Sequence, residues 1–194
     1  VSGVLPMAIA VFQKRHPKIR ISIREASYHD IVPAIKEKKC DIAFLSINED
    51  FFLEQLNEYD ADTFHHNIML TDRLVACASI ASTLATKEVI EQADIANRPF
   101  TYLNVVPLFK TSGNNAQRAL YVSNNTEIHR LLMKEMDVVS LMPRYVFDKM
   151  LDNKHFVARP LEGAQQIIYH ATLYPETNPH PLLKELASIV ASVI

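Results

Sequence analysis

Glycine is scarce in this sequence: Gly3, Gly113 and Gly163 are the only three in 194 residues. A P-loop and a dinucleotide-binding turn each need several glycines at set spacing, because backbone N–H groups must approach phosphate closely. Neither pattern is present, and a G-x-S-x-G nucleophile elbow is absent as well. Cysteine is rarer still. Cys40 and Cys77 both stand at apolar segments that read as strands, 41–45 and 74–78, and two lone thiols fit a reducing compartment better than a disulfide scaffold. No apolar run is long enough to cross a bilayer, and no signal peptide opens the chain. The expected location is the cytoplasm, with no membrane partner. A basic excess is missing too: 20 Lys and Arg stand against 22 Asp and Glu, a net charge of -2. The densest basic stretches, around Lys14 to Arg20 and Lys36 to Lys39, are short and have acidic neighbours. They read as solvated faces and turns and not as a grip on nucleic acid.

What is present is an ordinary core-forming composition, 48% hydrophobic and 22% charged, enough for one domain or two small lobes. Leu5, Ala8, Ile9 and Phe12 fall on one face of a helix that Ser2 can cap, that admits Pro6 in its first turn and that Pro17 ends. Ile19, Ile21 and Ile23 alternate, which predicts a strand over 19–24. Asp30 is placed to cap a helix to about Lys38, turning Ile31, Ala34 and Ile35 inward and leaving Pro33 in its first turn. A buried strand over 41–45 completes a βαβ unit.

The stretch 48–72 reads as a polar loop and then a strand at about 64–70, with a further strand at 74–78. A short helix over 87–94 and a strand over 99–103 follow. Beyond them come a strand over 119–122, a helix to about Glu135 and a strand over 138–142. Asn124 and Glu127 suit a capping box for that helix, whose inward residues are Ile128, Leu131 and Leu132. Residues 145–151 are predicted helical, and 156–160 and 166–174 predicted strands. Asn178 and Pro179 are placed to open a last helix striped with Leu182, Leu183, Leu186, Ile189, Val190 and Val193.

Strands and helices alternate throughout, so the class is α/β. Residues 72–162 form a self-contained second set, and the last strand and helix are expected to return to the first. That gives a first lobe of 1–71 and 163–194 and a second of 72–162, joined by two crossing strands with a cleft between them.

The order of motifs resembles a known family. Leu5-Pro6, then Phe12, then Pro17, an alternating Ile strand and Asp41-Ile42-Ala43 are similar to the start of LysR-type regulatory domains. Asp72 to Ala76 resembles that family's crossover strand, Thr126 to Pro143 its helix–strand–Leu-Pro segment, and Arg159-Pro160-Leu161 its return strand. The resemblance implies two Rossmann-like lobes like those of type 2 periplasmic binding proteins. It further implies a small-molecule effector in the cleft, a homodimer or homotetramer, and DNA contact only through an N-terminal winged helix-turn-helix that is absent from this chain. Three departures stand out. The family's opening strand has no counterpart before Ser2, Ala26 stands where glycine is common, and Glu135-Met136-Asp137 replaces the glycines that usually precede the Leu-Pro strand.

Ligands in open α/β folds sit beyond the carboxyl ends of strands, near helix N-termini whose N–H groups attract anions. That rule, with the resemblance, selects Ser2, Gly3, Ser27, Tyr28, Ser46, Leu103, Asn104, Val105, Ser123, Asn124, Asn125 and Met142 as candidate effector contacts. Helix capping or ordinary turn chemistry equally explains Ser2, Ser123, Asn124 and Asn104 one at a time. His65 and His66 are adjacent on an expected strand and point to opposite faces, so no metal site is expected, and no cofactor. No nucleophile–base–orienter set is visible, so an enzyme is not expected. The alternative function is the solute-binding protein of a transporter, which has the same architecture.

Overall fold

Pro6 needs no intrahelical partner in a first turn, and helix α1 (Leu5–Arg15) begins one residue before it. The computed structural model describes residues 3–26, 28–58, 64–96, 98–103, 119–162, 167–176 and 179–194. These residues form two compact units, one of Val1–Thr71 with Tyr169–Ile194, the other of Asp72–Ile168.

In the first unit α1 buries Ala8 and Phe12, and α2 (Tyr28–Lys36) buries Val32 and Ile35. Strand β1 (Ala43–Asn48) runs straight into helix α3 (Glu49–Glu58). Val32, Ile35, Leu45, Ile47, Phe52, Phe64, Ala171 and Leu173 pack into one core. The last helix, α7 (Pro181–Val193), buries Leu186, Ala187, Ile189 and Val190. It packs against α1, and Glu185 receives Arg15 at 3.2 Å and His16 at 2.8 Å. Strand β7 (Ile167–Pro175) lies between β1 and β2 (Phe64–Ser79) in strand order.

In the second unit the end of β2 pairs antiparallel with β5 (Val139–Pro143) and β6 (Phe156–Pro160). Strand β3 (Phe100–Tyr102) pairs parallel with both β5 and β4 (Ala119–Val122). Period-two alternation splits the buried residues. Leu74, Ala76, Ala78, Phe100, Val139 and Leu141 pack on one side. Val75, Cys77, Leu103, Met142, Met133 and Phe147 pack on the other. Helices α4 (Gln92–Ala96), α5 (Thr126–Met136) and α6 (Arg144–Met150) complete the unit, with one 3-10 turn at Thr83–Thr86. Cys40 and Cys77 are both free, and burial pushes the Cys77 thiol up, so it remains protonated.

The expected strand over 19–24 does not form. Ile19 and Ile23 are exposed, and the Ile19 backbone is engaged locally. Its N–H donates to His16 at 3.1 Å, and its carbonyl accepts from the Gln13 side chain at 3.0 Å. Alternation makes a strand only where a neighbour supplies the ladder.

Helix α2 starts two residues before Asp30, which places Pro33 inside the helix and not in its first turn. Burial of Val32 and Ile35, each worth about 1.5–3 kcal/mol, offsets a proline cost of about 3 kcal/mol. The helix closes with Lys38 at φ 57 and Lys39 N–H donating back to Ala34 at 2.8 Å, a Schellman-type end without glycine.

The expected polar loop after 48 is α3, and the two expected strands of 64–78 are one 16-residue strand. The helix expected over 87–94 forms later, as α4, because Ile90 is engaged in a bridge to Leu161. The last helix is capped by His180, whose ring accepts the Leu182 N–H at 3.2 Å, with Pro181 next to it. Asn178 lies outside the described residues.

Candidate functional site

Because β3, β4 and β5 run parallel, their carboxyl ends gather at one end of the second unit. There the Leu103 N–H donates to the Leu141 carbonyl, and the Ser123 N–H to the Tyr102 carbonyl, each at 3.3 Å. The chain leaving β4 turns at once into α5. Ser123 accepts the Asn125 N–H on its hydroxyl at 3.0 Å, and Asn125 Oδ1 accepts the Glu127 N–H at 3.0 Å.

Asn125 is therefore the cap of α5, and the expected box between Asn124 and Glu127 does not form. The Ser123 hydroxyl draws the chain in one residue later than the pattern alone selects. Asn124 is left exposed, and its side-chain amide has no hydrogen-bond partner among the described residues.

The electrostatics of this end are mild. Residues 119–126 carry no formal charge, and the positive end of the α5 dipole gives it a partial positive potential. Glu127 lies in that first turn, but Arg130 holds it through two bonds of 2.7 and 2.6 Å. The guanidinium keeps the Glu127 carboxyl below the usual carboxylate range and offsets its charge.

Beneath the loop lies a residue that the sequence reading did not select. His129 is fully buried on α5. Its Nε2 lies 2.9 Å from the Ser123 carbonyl, and its Nδ1 lies 3.0 Å from the Ser140 hydroxyl and 3.2 Å from that of Thr101. A carbonyl only accepts, so Nε2 carries the proton and Nδ1 receives one. The Thr101 hydroxyl donates to the Tyr121 carbonyl at 2.5 Å, which leaves Ser140 as the donor to Nδ1. Burial pushes the imidazole down from its ordinary value, with the Ser123 carbonyl opposing, so the ring is held neutral. The strand alternation that turns Val139, Leu141, Phe100 and Tyr102 to one side aims Ser140 and Thr101 at α5. A histidine among the apolar residues of an amphipathic helix, with Ser or Thr in the strands behind it, is the signal that could have found this group.

The other expected contacts fall in different places. Met142 has no exposed surface and packs with Leu103 in the core beneath the loop. Gly3 is exposed in the turn before α1, whose cap residue Val4 contributes no side-chain bond. Tyr28 is the first residue of α2. Ser46 lies within β1 and not after it, because the strand continues through buried Ile47 and Asn48. Its hydroxyl bonds Nδ1 of the buried His170 at 2.8 Å. Ser2, Ser27, Asn104 and Val105 lie outside the described residues. His65 Nδ1 lies 3.2 Å from Glu176. Among the described residues no group of three or more His, Cys, Asp or Glu gathers as a metal site.

The sequence model of the LysR substrate binding domain matches residues 1–193, nearly the whole chain. The chain belongs to the LysR substrate binding domain family. It is the ligand-sensing regulatory domain of a LysR-type regulator, and the match does not favour the transporter alternative.

Solved structures agree on the fold. A cysteine-to-aspartate variant of the OxyR regulatory domain from Pseudomonas aeruginosa is similar at TM-score 0.70 and 15% identity, covering 99% of this chain and 91% of that one. The effector binding domain of a BenM variant is similar at TM-score 0.67 and 15% identity, with 98% and 88% covered. The C-terminal domain of a probable LysR family regulator from Rhodococcus sp. RHA1 is similar at TM-score 0.68 and 15% identity, with 96% and 91% covered. The fold is thus the periplasmic-binding-protein-like α/β fold of LysR regulatory domains. No curated protein sequence matches the chain. Among the described residues no helix is long and apolar enough to cross a membrane.

Proposed function

We propose that this LysR substrate binding domain receives a small polar or anionic organic effector at the loop between β4 and α5, through Ser123, Asn124 and Asn125. The observation that carries this reading is the exposed Asn124 amide, without a partner among the described residues at a helix N-terminus, beside parallel strand ends and with no formal charge from 119 to 126. An amide and a hydroxyl recognise oxygen-rich groups in either direction, and the positive end of the α5 dipole favours negative charge. Leu103 and Met142 pack together in the apolar core of this unit, and Asn104 and Val105, next in sequence after Leu103, are further candidates. In the first unit the same reasoning names Gly3 at the mouth of α1, with Ser2, Ser27, Tyr28 and Ser46 as further candidates.

The effector is bound and released unchanged, and it acts by preferring one of two arrangements of the regulator. The regulator works in the cytoplasm as a homodimer or homotetramer and reaches DNA through an N-terminal winged helix-turn-helix. Thermal unfolding against a library of organic acids, amino acids and sugars tests the reading. A ligand at a hundred times its dissociation constant raises stability by about 2.7 kcal/mol, roughly 5–10 °C for a domain of this size. The reading expects one chemical class to give such shifts, and a flat response across the library contradicts it.

A further inference from the structure

The Ser123 carbonyl faces the interior, where His129 Nε2 donates to it at 2.9 Å. Ser140 reaches the other ring nitrogen at 3.0 Å, and Thr101 lies 3.2 Å from that nitrogen while bonding the Tyr121 carbonyl of β4 at 2.5 Å. The ring therefore ties α5 to Ser140 of β5 and to the chain just past β4, and the bonds end on the backbone of the loop that carries Asn124. His129 touches no surface, so it cannot meet a ligand itself.

We propose that His129 is a positioning residue: its bond to the Ser123 carbonyl fixes the 123–125 loop, so that the Asn124 amide is aimed before any ligand arrives. This rests on the reading of that loop as the effector site. The alternative, that His129 is core filling, makes a different prediction. Filling needs only volume, whereas positioning needs a donor at the Nε2 position. A buried carbonyl left without its donor is costly, and the loop relieves that cost by swinging the carbonyl toward water, which dismantles the Ser123–Asn125 and Asn125–Glu127 bonds.

The test compares His129→Leu, which keeps volume without a donor, with His129→Gln, whose amide N–H reaches the Nε2 position. Backbone order parameters of the amides from Ser123 to Ile128 are read by NMR in the chain without ligand. The wild type and His129→Gln are expected near 0.85, and His129→Leu below about 0.6, while Ala76 and Cys77 in β2 stay rigid. Unchanged order at 123–128 in His129→Leu overturns the proposal, and so does an equal loss across the whole unit. Should His129→Leu fail to fold, His129→Met, an unbranched side chain that also lacks a donor, decides the matter at the same amides: lowered order at 123–128 supports the proposal, and wild-type order overturns it. Asn124→Ala separates this from the site reading, since it leaves the His129 network whole. Unchanged binding of a ligand identified on the wild type would sink the site reading while the order parameters still judge His129.

Discussion

Asp72 accepts the Tyr145 N–H on Oδ2 at 2.9 Å, across 73 positions of sequence, while its Oδ1 accepts the Arg73 N–H at 2.7 Å. The contact closes the start of α6, where Pro143 occupies the cap position and has no side chain to do so. A carboxylate from β2 thus supplies the cap that the local sequence lacks. Asp72→Ala is expected to cost about 1 kcal/mol, within the range of about 0.5–2 for lost helix caps. Asp72→Asn keeps one acceptor oxygen and recovers about half of it. Urea unfolding of the three proteins checks the order, and equal midpoints contradict it.

The inward face of α5 is set by His129 and Met133, both fully buried, whereas Leu131 is 43% exposed. Met133→Ala therefore removes core contacts and is expected to cost about 2–5 kcal/mol. Leu131→Gln changes a surface position and is expected within about 0.5 kcal/mol of the wild type. Midpoints from chemical denaturation distinguish them. Equal losses would mean that the helix is rotated from the phase described.

His129 gives stability a sign in pH. Burial lowers its folded pKa below the ordinary imidazole value of 6.5, so the unfolded chain binds its proton first on acidification. The stability tied to the neutral ring is complete above 6.5 and declines as pH falls from there toward the folded pKa. Melting temperatures of the wild type and His129→Gln, measured from pH 8 to pH 5, isolate this histidine from the seven others of the eight in the chain. The gap between the two is expected to change below 6.5 against the wild type. Parallel curves contradict the account.

Much of this fold was legible because its signals are local. Strands β4 and β6 have the bounds that alternation and flanking turns imply, β5 ends at Pro143, and α1 follows its apolar face. The failures come where a competing local bond or a partner far away in sequence overrides the pattern. Ile19 to Ile23 alternate perfectly, yet the Ile19 backbone is engaged locally by His16 and Gln13. Helix α3 was hidden by its polar character, although Asn48 followed by Glu49 and Asp50 has the composition of a helix start. Asp137 reaches φ 51 without glycine, aided by an Arg98 bond of 2.9 Å that only the fold brings near. In the candidate site the Ser-Asn-Asn turn was readable, but not which asparagine caps. That depended on a local bond from the Ser123 hydroxyl and on a buried histidine whose partners Ser140 and Thr101 the fold brings near.

The measurement closest to the central claim is the affinity of a thermal-shift hit for the wild type and for Ser123→Trp, taken by titration calorimetry with both proteins shown to be folded. An indole at the mouth of α5 is expected to cover Asn124 from the solvent side. The account predicts tenfold or greater loss of affinity in Ser123→Trp. Equal affinity would place the effector away from the β4–α5 loop and contradict the site.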